Sequence, residues 1–463
     1  MTPGLTSKDK ASRQYLASYA EAEVAHLDGL ALGSYNHCLV VPAHREAAEC
    51  LPRIWPHRDP GLLLILVINS GTDNDHITGR MLANLLSAET PPSPANHPGN
   101  HSSHQQAGNL HFIQRADEPD LLVVDRCRPG RLIPLRQGVG LARKIGADLA
   151  LALICRGLVR STWINSTDAD VSLPADYFAD GQQCARGQQS ARGQQNTGGQ
   201  QIAAQLYPFS HQFSADLEVA SRLYDIAMDY YVLGLRWAGS SYGFHSIGST
   251  LSISAVHYAR VRGFPKRNAA EDFYLLNKLA KTGTIALRQG QPILVDARLS
   301  DRAPFGTGPA LAQISAMQTP IAEYRYYDPR IFGLLRIFLN NANNLLNTEP
   351  QLSFAAEPEI IAWLEASGLA GQLQRLRQSR AQQAVLQRFL RDWFDGFRTL
   401  KFIHFMRDEY YPSVSLDNIC DGQLLPNMKV HDLDSIRLLH QHLQSLLVQT
   451  GTKTTSITAG AKP

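Results

Sequence analysis

Charge is the first scarcity in this 463-residue chain: Asp, Glu, Lys and Arg make up 18% of it, and 44 Lys plus Arg against 41 Asp plus Glu leave a net +3. A nucleic-acid binder shows a larger or more clustered basic excess, so no polynucleotide partner is expected. Cysteine is scarce too. Cys38, Cys50, Cys127, Cys155, Cys184 and Cys420 stand singly with no CxxC pair, which suits neither a zinc site nor a disulfide framework and fits reduced thiols in a cytoplasmic protein. Long apolar runs are missing, since the longest, residues 62–68, falls far short of the ~20 a membrane helix needs. The first thirty residues carry charges throughout and no apolar stretch, so no leader peptide is expected there. No G-x-x-x-x-G-K-[ST] loop occurs and no G-x-G-x-x-G follows the first strand, which argues against a P-loop and a dinucleotide-binding fold.

What is present suffices for a large core. Hydrophobic residues are 44% of the chain, and its length predicts roughly two to three domains at about 150 residues each. Residues 1–30 read as a helical arm, with Tyr15, Leu16, Tyr19, Ala22 and Ala25 near one face. From residue 31 the pattern changes. Short aliphatic runs at 39–41, 62–68, 121–124 and 163–164 alternate with helical stretches such as 45–54 and 140–153. Buried strands alternating with helices predict a largely parallel α/β sheet whose ligands sit at the carboxyl ends of the strands.

Two low-complexity insertions interrupt this pattern and read as mobile surface loops. Residues 88–108 are rich in Pro, His and Ser, and residues 181–201 repeat GQQ from Gly181, Gly187, Gly193 and Gly199. His97, His101 and His104 in the first could bind a metal, although nothing nearby in the sequence would preorganise them. Beyond residue 310 apolar side chains recur at helical spacing, which predicts a helical C-terminal region over 310–463.

Segment 161–178, STWINSTDADVSLPADYF, carries the strongest chemical signal. A hydrophobic strand runs into Asp168-Ala169-Asp170. Two carboxylates so spaced at a strand end can face one hard divalent cation, whose oxygen shell phosphates complete. A pair of turn or capping aspartates is the plainer alternative. Elsewhere stand Gly138-Val139-Gly140-Leu141-Ala142-Arg143-Lys144-Ile145-Gly146, then Tyr242-Gly243-Phe244-His245, then Ala270-Glu271-Asp272-Phe273, then Arg302 in a glycine-rich loop.

This order of segments resembles the family-2 glycosyltransferases, nucleotide-sugar enzymes of the GT-A fold. Residues 38–46, CLVVPAHRE, are similar to that family's "VVIPAxNE"; residues 66–73 resemble its "VDDGSxD" segment and residues 140–146 its "GxxxARNxG". Asp168–Asp170 matches the DxD and Glu271-Asp272 the ED pair. Asn69 stands where the family often has Asp, Lys144 replaces the Asn of "ARN", and no QxxRW-type motif follows the ED pair, which argues against a processive synthase.

The resemblance implies an α/β GT-A domain over 31–309 with a mixed Rossmann-like sheet. Pro42, Ala43 and Glu46, with Asp73 or Asp75 and Arg143, would hold base and ribose. Asp168 and Asp170 would hold Mg²⁺ or Mn²⁺ against the diphosphate of a nucleoside-diphosphate sugar, Asp170 as the direct ligand. Asp272, tuned by Glu271, would be the general base on an acceptor hydroxyl, which implies inversion; both acids equally suit a first helical turn. His245 and Arg302 would approach the phosphates, and Trp237 and Tyr242 the acceptor sugar. Each of these residues also has a purely structural reading.

The acceptor is left open between a small molecule, a glycan and a lipid-linked sugar. Arg375, Arg377, Arg380, Arg388 and Arg391 beside an apolar stripe would suit contact with an anionic membrane or simply a packed helix, and residues 398–405 would suit a packing helix or a homodimer contact. Two alternatives stand beside the inverting transferase. One is a retaining enzyme acting on a small acid such as phosphoglycerate; the other is an inactive nucleotide-sugar-binding scaffold.

Overall fold

The computed structural model describes residues 9–54, 61–72, 75–87, 103–115, 118–178, 201–300, 306–346, 353–379, 382–420 and 424–454, with side chains to 450. Contacts divide the described residues into two units: those up to Gln212 together with Ser246–Asp296, and Phe213–His245 together with those from Ala297 onward.

The first unit is built on β1 (His37–Ala43), β2 (Leu62–Asn69), β3 (Ser103–Ala107), β4 (Leu110–Gln114), β5 (Asp120–Arg126), β6 (Trp163–Ser166), β8 (Ile202–Leu206), β10 (Leu251–Ser254) and β11 (Thr284–Leu287), in the order β11-β8-β10-β6-β1-β2-β5-β4-β3. β1 and β2 are buried at every position, which is why they read as unbroken aliphatic runs rather than alternating ones. The centre, β6-β1-β2-β5, is parallel; β10 and β4 flank it antiparallel, so the sheet is mixed rather than largely parallel. A second, three-stranded sheet orders β7 (Val171–Ser172), β12 (Ile293–Asp296) and β9 (Phe209–Gln212) as β7-β12-β9.

Helix α1 (Lys10–Ser18) is capped by Asp9, whose carboxylate accepts the Ser12 N–H at 2.9 Å. The expected helix over 45–54 is reduced to a 3-10 turn at Ala48–Cys50 and α2 (Leu51–Ile54). A third helix, α3 (His76–Leu86), follows β2. Helix α4 (Gly138–Cys155) is buried along almost its whole length. Gly146 lets it approach the sheet, since a Cβ there would press on Val40 and lie 3.3 Å from Val67.

Residues 103–107, expected in a loop, instead pair with β4, because β-hairpin partners supply the hydrogen bonds that their polar sequence does not advertise. The remainder of that insertion, 88–102, and residues 179–200 of the GQQ region lie outside the described residues.

The second unit is helical. Helices Glu218–Ala238, Pro329–Asn341, Pro358–Ser367, Gln383–Trp393, Gly396–Glu409 and Leu433–Thr454 enclose a core that includes Leu223, Tyr230, Phe332, Phe338, Trp363 and Phe402. Leu373, Leu386, Leu390 and Phe394, part of the apolar stripe beside the arginines, are buried in this core, and Arg377 donates to the carbonyls of Leu345 and Leu346. Among the described residues no helix is long and apolar enough to cross a membrane.

Candidate active site

Arg143 organises the site. It lies one turn into α4, and its side chain is 3% exposed. All three guanidinium nitrogens donate inside the protein: Nε to Glu271 Oε1 at 2.8 Å, Nη1 to Ser166 Oγ at 3.0 Å and the Thr167 carbonyl at 3.3 Å, and Nη2 to Asp168 Oδ1 at 2.6 Å. The DxD segment at the end of β6 and the ED couplet at the start of helix Glu271–Leu279 are thereby tied to one cation.

Burial disfavours the charged guanidinium, but Asp168 and Glu271 outweigh that and raise its proton affinity. Such a buried triad adds little net stability, yet removing one member leaves uncompensated charge and typically costs about 3–5 kcal/mol.

Two glycines make room for this arrangement. A Cβ on Gly248 would lie 2.8 Å from Arg143 Cζ, so only glycine lets that backbone cover the guanidinium. Gly140, in the first turn of α4, donates its N–H to the Arg267 carbonyl at 2.8 Å, and a Cβ there would come within 2.6 Å of Arg267 N. The segment leading into the ED couplet is thus pressed onto α4.

Ala270, immediately before that couplet, holds φ at +58°, a left-handed conformation costly for a non-glycine residue. Its cost is of order 1–3 kcal/mol, and such strain persists only where surrounding contacts enforce it.

Asp272 accepts its own helix's Phe273 N–H at 2.7 Å. Burial first, and then the Glu271 carboxylate, push its carboxyl up to about 7; Arg143 and the Phe273 N–H oppose this, and Asp168 adds to the rise. A carboxylate so tuned titrates where a general base works best.

Asp170 lies between β6 and β7. Its carbonyl accepts the Asp296 N–H at 3.0 Å, and the next residues, Val171 and Ser172, pair antiparallel with β12. Among the described residues no group of three or more His, Cys, Asp or Glu gathers as an all-protein metal site. Two carboxylates at a strand end, with the Asp168 side chain 32% exposed, match a hard cation that takes its other oxygens from phosphates.

The other residues singled out by sequence are distributed as follows. Pro42 and Ala43 close β1 and are buried, as is Glu46 just beyond. The Asn69 amide nitrogen, oriented as its neighbours require, donates to the Ala43 carbonyl at 3.3 Å, so Asn69 ties β2 to the end of β1.

Asp75 caps α3, accepting from Thr78 N at 3.1 Å and Thr78 Oγ1 at 2.6 Å, with His44 Nε2 at 3.3 Å. Burial works against its charge, and the Thr78 bonds outweigh burial and hold the carboxyl below its ordinary range. Asp73 and Arg302 lie outside the described residues. His245 belongs to the second unit, where its Nε2 meets Asp229 Oδ1 at 2.9 Å, and His440 approaches the other oxygen at 3.6 Å. In the same unit Trp237 stacks under Arg336 and Tyr242 packs near Phe244.

Sequence reasoning passed over three features. Lys144 is buried and bonded to Tyr15 Oη, the Tyr19 carbonyl and Asp148 Oδ2 at 2.6, 2.8 and 2.7 Å, and so anchors the N-terminal arm. Arg53 forms a bidentate pair with Asp296, which no local pattern signals because the two are far apart in sequence. Gly239-Ser240-Ser241-Tyr242-Gly243 has G-x-S-x-G spacing, but it follows helix Glu218–Ala238 rather than a strand, with Gly239 as the left-handed C-cap, so it is no nucleophile elbow.

No family model matches the chain, and no curated protein matches it significantly. Among solved structures, a mannosyltransferase from Pyrobaculum calidifontis in complex with GDP-Man and Mn²⁺ matches over 96% of this chain and 91% of that one, at 13% identity and a TM-score of 0.31. A likeness this distant leaves the site's own residues to carry the functional reading.

Proposed function

We propose that this protein transfers a sugar from a nucleoside-diphosphate sugar to an acceptor hydroxyl, with a divalent cation, by an inverting, non-processive reaction on a GT-A domain. The observation that carries this reading is the convergence of the two acidic couplets on Arg143, with the Asp272 carboxyl pushed up to about 7 beside them. Asp170, with Asp168, would hold Mg²⁺ or Mn²⁺. When bound, the cation would neutralise charge developing on the departing nucleoside diphosphate.

The chain's own residues divide the remaining work. Arg143 fixes Asp168 and Glu271 in one geometry. Glu271 raises the proton affinity of Asp272, and Asp272 accepts the proton of the attacking hydroxyl. A single base on the acceptor side makes the displacement in-line and therefore inverting. The backbone at Pro42 and Ala43, where β1 ends, would border the nucleotide.

Asp272→Asn tests the base. Donor binding should persist in calorimetric titration with UDP- and GDP-sugars, while transfer falls by about 10²–10⁴-fold, the usual worth of general acid–base catalysis. Transfer at the wild-type rate in this variant would move the base elsewhere, and retained anomeric configuration in the product would favour the retaining alternative.

A further inference from the structure

The Asp168–Asp170 segment is held at two ends. Arg143 holds the first carboxylate. At the other end the holder is β12: its last residue, Asp296, donates its N–H to the Asp170 carbonyl at 3.0 Å, and Leu294 and Val295 pair with Ser172 and Val171. Asp296 is itself locked by its side chain. Arg53 Nη1 and Nη2 reach its two carboxylate oxygens at 2.8 and 2.7 Å, and Arg53 Nε reaches Ser172 Oγ at 3.1 Å. The Arg53 carbonyl accepts the Leu173 N–H at 3.1 Å, so α2, β7 and β12 close a small ring of bonds around the exit from the couplet.

The pair is unusual for its exposure. The Arg53 side chain is 41% exposed and that of Asp296 29%, so as a stabilising ion pair it would contribute about 0–1 kcal/mol. Yet it is bidentate, it spans elements far apart in sequence, and its cation lies close enough to feel the Asp170 charge. Partners that orient a metal ligand typically change metal affinity by about 10–100-fold when lost, without touching the metal.

We propose that the Arg53–Asp296 pair is a positioning device for Asp170, setting the direction in which that carboxylate meets a divalent cation. Arg53 keeps the Asp296 carboxylate turned away from the cation, and the Asp296 N–H keeps the Asp170 backbone in register with β12. The inference rests on the reading of Asp170 as the cation ligand.

The test is Mn²⁺ binding followed by electron paramagnetic resonance, for Mn²⁺ alone and with GDP or UDP, in wild type, Asp170→Ala, Asp296→Asn, Arg53→Gln and the double Arg53→Gln/Asp296→Asn variant. Wild type should bind, Asp170→Ala should not, and each single variant should bind about 10–100-fold more weakly while melting within a few degrees of wild type. The double variant should be no weaker than the worse single one, because the two residues act as a unit. Amide exchange at 168–172 should quicken in both single variants, a readout that needs no metal.

Wild-type Mn²⁺ affinity in Asp296→Asn and Arg53→Gln, with Asp170→Ala still defective, overturns this inference and leaves the proposed function standing. Absence of Mn²⁺ binding in wild type under every nucleotide condition overturns both. Should Asp296→Asn fail to fold, Arg53→Gln decides alone.

Discussion

The chemistry proposed at Asp272 follows from where its proton sits. Its carboxyl is raised to about 7, so a base there is active only above that value, and kcat/KM should fall as pH drops through about 7. The same shift predicts a stability effect of opposite sense. The folded chain keeps a proton that the unfolded chain sheds near 3.8, so the contribution of Asp272 to stability is full below pH about 4 and is lost as pH rises through about 7. Asn carries no charge to bury. The melting advantage of Asp272→Asn over wild type should therefore be least below about pH 4 and grow as pH rises to about 8, and a melting difference that does not change with pH would refute the raised carboxyl. Gly248 is tested separately. Adding a Cβ forces Arg143 off its position, so Gly248→Ala should cut transfer at least tenfold while the circular-dichroism spectrum stays wild type. Unchanged transfer would show that the guanidinium tolerates displacement.

At the scale of elements, α1 is held to α4 by polar bonds rather than by apolar contact alone. Tyr15 Oη and Tyr258 Oη both donate to Asp148 Oδ1, at 2.6 and 2.7 Å, and Lys144 pairs with Asp148 Oδ2. Asp148 is 0% exposed, and its burial raises its proton affinity against the pull of Lys144. Asp148→Ala removes the acceptor shared by two tyrosines and the partner of a buried lysine. The expected loss is about 3–5 kcal/mol in urea unfolding. Lys144→Met together with Asp148→Leu should recover much of it, since apolar replacement of a whole buried pair is often neutral.

Part of this arrangement is legible in the sequence. The apolar run of α4 and the aliphatic runs of β1 and β2 are local, so pattern alone finds them. The pairing of 103–107 with β4 is not, because a strand made of Ser, His, Gln and Ala owes its conformation to its neighbour's backbone. The shrinking of 45–54 to a short turn follows from Arg45, held at φ +54° with its N–H on Thr78 Oγ1 just after β1, which blocks helix from starting there.

For the whole molecule, ligand binding is the decisive observation. A nucleoside diphosphate with Mn²⁺ at about 100 times its Kd should stabilise the protein by about 2.7 kcal/mol, read as a rise in melting temperature. Asp170→Ala should lose the Mn²⁺-dependent part and keep the melting temperature of the unliganded protein; an unchanged Mn²⁺ response would take the cation away from Asp170.

Sequence by itself determined the chemistry on offer: two acidic couplets, an arginine ahead of both in chain order, glycines where backbones must approach, and little charge for a polyanion. Residue type and spacing are local properties, and they survive translation into one dimension. Only the tertiary structure decided which partners those groups have. Arg143 turned inward to join Asp168 and Glu271, Lys144 turned the other way to anchor α1, residues 213–245 joined the C-terminal helices, and Asp296 came to stand beside Asp170. The reason is physical: a buried charge is stable only beside its complement, and that complement is chosen by how sheets and helices pack in space, across separations that no sequence window spans.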